Sequence, residues 1–163
     1  MMPVPLLRGG GQEKGHRAGT EALPTIAGFG AAAKAAVGRL ARAGEMARKR
    51  DAIEATIREI APEAIFHGKS AASRLPNTVF FTMPGMRAET AQIAFDLAGI
   101  ALSAGSACSS GKVGPSHVLK AMGVVSGDGA LRVSIGLETS DKDIEAFRLA
   151  LESVAARRKK AAA

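Results

Sequence analysis

The chain has 163 residues, which is enough for one domain with a hydrophobic core and leaves little room for a second compact one. It is 47% hydrophobic and 23% charged, a composition typical of folded globular proteins that excludes wholesale disorder. The formal net charge is +7, but no stacking aromatic accompanies the basic run at residues 157–160. We therefore expect no nucleic-acid partner.

The sequence shows no sign of a membrane or metal protein. No stretch approaches the roughly 20 continuous apolar residues that span a bilayer, and the first residues lack the charged and apolar regions of a secretion signal. A single cysteine cannot form an internal disulfide, and with three scattered histidines it gives no metal-ligand spacing. We expect a cytoplasmic protein that neither spans a membrane nor binds a metal ion.

Glycine is concentrated near the start of the chain, at positions 9, 10, 11, 15 and 19. Because glycine does not propagate a helix, residues 6–20 are predicted to form the end of a strand followed by a constrained loop. The backbone amides of this loop could cradle a phosphate, with His16 and Arg17 touching the anion. A glycine-rich turn is more often only a turn, so the motif by itself is weak.

Three segments have aliphatic residues at helical spacing. Residues 24–60 predict one long helix or two in tandem, with Ile53, Ile57 and Ile60 at i, i+4 and i+7. The spacing of Ile93, Leu97 and Ile100 predicts a helix of about three turns. The last helix opens with a capping-box pattern at Ser140 and Asp143, and its apolar face comprises Ile144, Phe147, Leu151 and Val154.

Short strands alternate with these helices. They are predicted at residues 64–67, 77–82, 101–103 and 131–135, with a short helix at residues 116–122. No glycine loop opens a helix in a βαβ unit, which disfavours a dinucleotide-binding fold. The expected class is α+β, with helices packed on one face of a small sheet.

Cys108 is the first candidate for chemistry. It lies among serines and glycines with Lys112 nearby, whereas free cysteines are usually buried as small hydrophobic residues. A polar, cationic setting favours the thiolate, so we expect a reactive thiol. A cysteine–histidine pair with His117 is conceivable, but no Asn or Asp partner is indicated.

Arg132 is the second candidate. It lies in the middle of a predicted strand, between Leu131 and Val133, where a guanidinium is costly unless it faces a cleft and meets an acid. Its two-pronged geometry suits the carboxylate of a small substrate. The alternative without a function is an edge-strand arginine that faces water.

Four segments resemble, in order and at suitable distances, landmarks of the cysteine desulfurases of the class V aminotransferase family. They are residues 9–20 (GGGQEKGHRAGT), 75–80 (LPNTVF), 103–111 (SAGSACSSG) and 131–136 (LRVSIG). The resemblance runs from about Leu6 to Leu151. It implies the small C-terminal domain of a fold-type I transferase that depends on pyridoxal phosphate, with residues 1–23 ending the large domain and residues 24–163 forming the small one.

The resemblance also implies a role for each candidate residue. Cys108, on a mobile loop, would take sulfur from L-cysteine as a persulfide, leaving L-alanine, and pass it to a sulfur-acceptor protein for iron–sulfur clusters or thiolation. Arg132 would hold the substrate carboxylate. Thr20 would reach the phosphate of the pyridoxal cofactor in the partner subunit of a homodimer.

One departure from the family is large. The Schiff-base lysine of these enzymes lies in a Ser-x-His-Lys context, and no lysine of this sequence has such neighbours. Alone, the chain is therefore expected not to make alanine from cysteine. We therefore expect a truncated gene product, an incomplete sequence or one half of a split enzyme.

Other functions stay open at this point. A selenocysteine lyase or a transaminase would share the fold, although a transaminase would not need Cys108. A non-enzymatic persulfide carrier or partner-binding domain would not bind pyridoxal phosphate. An inert remnant would be poorly folded, and apolar surface is expected to be exposed where a large domain should pack.

Overall fold

The computed structural model describes residues 4–105, 116–124 and 127–161. The chain divides into two compact units, one ending at Ala41 and the other beginning at Arg42. The predicted division after residue 23 concerned a large and a small domain, and it stays a prediction. In chain order the elements are a 3-10 turn (Gln12–Gly15), α1 (Leu23–Arg39), a 3-10 turn (Leu40–Arg42), α2 (Ala43–Ile60), β1 (Ile65–Phe66), β2 (Thr78–Thr82), α3 (Ala88–Leu97), β3 (Ser103–Ala104), α4 (His117–Ala121), β4 (Leu131–Ser134) and α5 (Asp141–Ala161).

The first unit consists of the glycine-rich loop and α1. Between residues 4 and 22 the chain forms turns and one 3-10 turn, so the strand end predicted there is wrong. A strand needs a neighbour for its backbone groups, and no strand is described in this unit. Pro24 lies in the first turn of α1, where its missing N–H costs nothing. No residue of α1 is buried.

The second unit is built on a four-stranded antiparallel sheet in the order β1-β2-β4-β3. In its register Val79 lies opposite Val133 and Phe81 opposite Leu131. All four side chains are buried, because alternate residues of paired strands point to the same face. The sheet and helices confirm the predicted α+β class.

The core lies between this face of the sheet and helices α2, α3 and α5. Ile53 and Ile57 of α2 are buried, as their spacing predicted, and Ile60 is partly buried. Phe147, Leu151 and Val154 of α5 are also buried. The rings of Phe95 and Phe147 stack with their centroids 5.6 Å apart. The second unit thus has a core of its own.

Helix α3 exists where it was predicted, but its buried face differs from the aliphatic spacing that marked it. Ala88, Ala91 and Phe95 are buried, whereas Ile93 and Leu97 are 62% and 77% exposed. Small alanines let the helix approach the strands closely, and Phe95 fills the space against α5.

Helix α5 is fixed at both ends. The predicted capping box is confirmed: the Ser140 amide donates to Asp143 Oδ2 at 2.7 Å, and the Asp143 amide donates to Ser140 Oγ at 3.3 Å. Near the other end, Arg158 pairs with Glu63 and donates from Nη1 to the Pro84 carbonyl at 3.2 Å. These contacts hold α5 against the loop after β2.

Candidate functional site

The three residues singled out from the sequence fall in different parts of the chain. Thr20 lies in the first unit, at the end of the glycine-rich loop, and is exposed. Arg132 belongs to β4 in the second unit. Cys108 lies outside the described residues.

Arg132 projects from the open face of the sheet. Along β4 the residues alternate between buried and exposed, and Arg132 is exposed between buried Leu131 and Val133. The edge position in the alternative reading is wrong, because β4 lies between β2 and β3, whereas its expectation that Arg132 faces water agrees with the exposed side chain. No carboxylate of the described chain pairs with Arg132, and its Nη2 donates to Ser103 Oγ at 3.4 Å. Most of its donors remain available to an anion.

Arg132 lies in a row of residues that crosses the sheet. Ser103 of β3 is its partner on one side and Phe80 of β2 its partner on the other. Beyond Phe80 comes His67, whose amide donates to the Phe80 carbonyl at 2.9 Å and whose ring centroid lies 5.2 Å from that of Phe80. Sequence reasoning missed Phe80 and His67 as neighbours of the arginine. The period-two pattern of β2, which separates Phe80 from the buried Val79 and Phe81, was the available signal.

His67 belongs to a buried hydrogen-bond chain at the edge of this row. Thr82 Oγ1 donates to the Gly129 carbonyl at 2.7 Å and lies 2.8 Å from His67 Nε2. Since the hydroxyl proton is already used, Nε2 must be the protonated nitrogen that donates to Thr82. Burial lowers the pKa of the His67 imidazole, because a charged ring is poorly solvated there. The neutral ring therefore ties β1 and β2 to the segment that leads into β4.

The backbone conformation of Gly129 allows its carbonyl to accept the hydrogen bond from Thr82. Its φ of +73° is in the left-handed region, and an added Cβ would lie 3.1 Å from the Cβ of Ala88. The next residue, Ala130, accepts from the Gly105 amide at 2.8 Å. The chain just before residues 106–115 is thereby held to the start of β4.

The loop before Thr20 is tightly wound. Glu13 and Lys14 have φ values of +50° and +56°, which is uncommon for residues other than glycine. Arg17 Nη1 donates to the carbonyls of Gly19 and Thr20 at 2.9 and 2.7 Å. The guanidinium therefore fixes the backbone on which the exposed Thr20 hydroxyl is presented.

No helix within the described residues is long and apolar enough to cross a membrane. Among the same residues, no cluster of three or more His, Cys, Asp or Glu side chains is placed to hold a metal ion.

The family model and the relatives that this chain matches agree on one family. Residues 8–147 match the model of the aminotransferase class-V family. The chain is 41% identical over 144 residues to a cysteine desulfurase of Gluconacetobacter diazotrophicus, covering 86% of this chain and 36% of that protein. It is 39% identical over 144 residues to the cysteine desulfurase NifS of Azotobacter vinelandii, with the same coverage.

Solved structures agree with these sequence matches. A NifS-like protein from Rickettsia africae superimposes with a TM-score of 0.78 at 33% identity, covering 92% of this chain and 39% of that chain. A second NifS-like protein gives the same TM-score at 29% identity. The chain thus spans little more than a third of the length of the relatives it matches.

Proposed function

Because the chain belongs to the class-V aminotransferase family, we propose that it is the C-terminal portion of a pyridoxal-phosphate-dependent cysteine desulfurase that works in the cytoplasm. The observation that carries this proposal is Arg132, a guanidinium on a central strand that faces outward and meets no carboxylate of the described chain. Such a cation is suited to the carboxylate of an amino-acid substrate.

Arg132 would bind and orient L-cysteine. Its fork can take both carboxylate oxygens, while Ser103 accepts from Nη2 and steadies the guanidinium. Phe80, paired with Arg132 across the strands, is half-buried and excludes water from one side of the ion pair. A carboxylate bound beside an apolar ring is held more strongly than one in open water.

Cys108 would be the nucleophile, on the strength of its sequence motif. The Cys108 thiolate attacks the sulfur of the substrate, a new S–S bond forms, and the C–S bond of L-cysteine breaks with its electron pair left on carbon. Protonation of that carbon gives L-alanine, and Cys108 is left as a persulfide for an acceptor protein. Pyridoxal phosphate, when bound, supplies the electron sink that makes this C–S bond weak.

The residues around Thr20 fit one contact to the cofactor phosphate. The Thr20 hydroxyl is exposed, Arg17 fixes its backbone, and positions 11 and 15 have no atom within 4 Å of an added Cβ. Open backbone and a hydroxyl near the Arg17 guanidinium suit a phosphate dianion. Thr20 would donate to the phosphate of the partner subunit in a homodimer.

The exposed face of α1 supports the idea that this chain works with further polypeptide. Leu23, Ile26, Phe29 and Val37 are each at least half exposed. An apolar stripe of this size on a helix normally packs against protein. The sequence expectation of uncovered apolar surface agrees with this observation.

A chimera tests the proposal. The chain would replace the matching part of the Azotobacter vinelandii cysteine desulfurase NifS, and alanine release from L-cysteine would be measured together with persulfide at Cys108 by mass spectrometry. We expect both products. Cys108→Ser should abolish the persulfide, and Arg132→Lys should raise KM for L-cysteine ~10-fold or more, because lysine lacks the two-pronged fork. Lys69→Ala, at an exposed position, is the matched control.

A folded chimera that binds pyridoxal phosphate but shows an unchanged KM in Arg132→Lys would count against the assigned role of Arg132. Sequencing the DNA upstream of the Met1 codon is a complementary test. A Ser-x-His-Lys segment in any reading frame there supports the enzyme portion.

A persulfide carrier is the second candidate, favoured by the self-contained core of the second unit. The carrier predicts that the isolated chain accepts sulfur on Cys108 from a low-molecular-weight persulfide without binding pyridoxal phosphate. A change in the absorbance of the cofactor on mixing with the chain would contradict it.

A further inference from the structure

A surface groove of about 440 Å³ lies between the outer face of α3 and the end of α5. Its lining includes Met86, Ile93 and Leu97 together with the arginines at positions 87, 157 and 158. It contains no carboxylate. Neither the substrate arginine nor the glycine-rich loop takes part in it.

The floor of the groove is apolar although it faces solvent. Thr90, Ile93 and Leu97 follow one another at i, i+3 and i+7 on the side of α3 opposite to Ala91 and Phe95. Ile93 is 62% exposed and Leu97 77% exposed. A helix that is apolar on both sides is normally covered on both sides. The second side of α3 therefore has the composition of an interface.

The rim of the groove is cationic, and two of its three arginines are weakly engaged. Arg157 has no partner among the described residues, and Arg87 reaches Glu89 only at 3.5 Å in an exposed pair. Such exposed ion pairs contribute little to stability, so Arg87 can exchange Glu89 for a carboxylate of a ligand. Arg158, by contrast, forms an ion pair with Glu63 and donates a hydrogen bond to the Pro84 carbonyl. Arg87 and Arg157 are thus available to acidic groups of a ligand.

We propose that this groove docks an acidic amphipathic helix of a partner protein. Aliphatic side chains of the partner at i, i+3 or i+4, and i+7 would contact Ile93 and Leu97, and flanking carboxylates would pair with Arg87 and Arg157. An aliphatic floor without exposed aromatic rings does not suit nucleic-acid bases, which stack on aromatic side chains. Charge complementarity selects an acidic partner over a basic one.

The test uses the purified full chain and a fluorescein-labelled peptide of 18 residues with Leu at helical spacing and Glu elsewhere. Fluorescence anisotropy should show saturable binding that weakens as salt is added. A peptide with the same residues in scrambled order is the control for composition, and a Leu and Lys peptide is the control for charge.

Variants locate the binding. Ile93→Ser with Leu97→Ser should weaken binding about tenfold, and Arg157→Glu should do so by a similar factor, since a few central contacts dominate such interfaces. Leu75→Ser and Lys69→Glu change exposed side chains of the same kinds outside the groove and should leave the affinity unchanged. Because all these positions are exposed, the unfolding midpoint should move little in every variant.

Three outcomes would overturn the proposal. The first is binding that is indifferent to the groove variants, which would place the peptide elsewhere, for example on α1. The second is a dimer of the chain, seen by light scattering, that dissociates in the Leu97→Ser variant, since the occupant would then be a second copy. The third is loss of peptide binding in the NifS chimera, because the groove would then be covered by the rest of the enzyme. Retention of binding in an inactive chimera would support the groove and count only against the proposed reaction.

Discussion

Two consecutive helices of similar length, α1 and α2, behave in opposite ways. Helix α1 has 17 residues, of which only Lys34 and Arg39 are charged, yet none of its residues is buried. Helix α2 has 18 residues, eight of them charged, and it buries Ile53, Glu54 and Ile57. Burial therefore follows the presence of a matching surface rather than the apolar content of a helix. The exposed apolar side chains of α1 have the composition of a surface that packs against protein.

The largest expected effect comes from the core of α2. Ile57 is completely buried, so Ile57→Ala should lower the free energy of unfolding by about 3 kcal/mol, through lost transfer energy and a residual cavity. Phe29→Ala on α1 should change it by less than about 0.5 kcal/mol, because this ring is 77% exposed. Urea denaturation followed by circular dichroism measures both. Equal losses would remove the contrast between the helices.

A smaller effect is expected at the buried acid of α2. Glu54 pairs with Arg74 and accepts from Arg58 Nη2 at 3.4 Å, while its own side chain is only 8% exposed. Glu54→Ala should destabilise the second unit by about 2 kcal/mol, since the half-buried Arg74 loses the carboxylate that accepts its hydrogen bond. Glu59→Ala, at an exposed position of the same helix, is the matched control. An unchanged free energy of unfolding in Glu54→Ala would mean that water solvates the Arg74 guanidinium as well as the carboxylate does.

The pH dependence of the two helices should also differ. Hydrogen bonds from Arg42 and Lys49 lower the pKa of the Glu45 carboxyl to about 2, whereas α1 contains no carboxylate. A lowered folded pKa means that the unfolded chain binds protons first, so this stabilisation is present above pH 4.5 and is lost as the pH falls toward 2. Glu45→Gln should flatten the acid limb of a stability profile measured by urea denaturation between pH 7 and 2. An unaltered profile would show that Glu45 is solvated in both states.

The smallest effect on stability, with a visible effect on association, is expected on α1. Phe29→Glu should leave the unfolding midpoint of the chain unchanged and reduce its self-association, because it places a charge in the exposed stripe. Light scattering at several concentrations measures this. A clean monomer already in the unmodified chain would contradict the view that the stripe needs a cover.

Much of the second unit could be predicted from local patterns. The spacing of Ile53 and Ile57, the capping box at Ser140 and the alternation in β4 each depend on neighbours within a few residues. The face of α3 could not be predicted in this way. Alanines and isoleucine are both apolar, and the choice between them depended on how closely α3 approaches the strands.

The residues of the candidate site could likewise be predicted only in part from the sequence. Cys108, Arg132 and Thr20 were found from ordered motifs, and only Arg132 and Thr20 lie within the described residues. His67 and Phe80 were missed, because His67 meets Thr82 across 15 residues of sequence through the pairing of β1 with β2. Contacts between strands depend on register, and register is set by the whole sheet.

The sequence by itself determined the family, the α+β class and the identity of the three candidate residues, because motifs and periodicities are properties of local order along the chain. Only the tertiary structure decided that Arg132 stands on a central strand without an acid, that His67 is buried beside Thr82, and that the outer side of α3 forms a cationic groove. Each of these depends on which residues distant in sequence become neighbours when the apolar faces pack together.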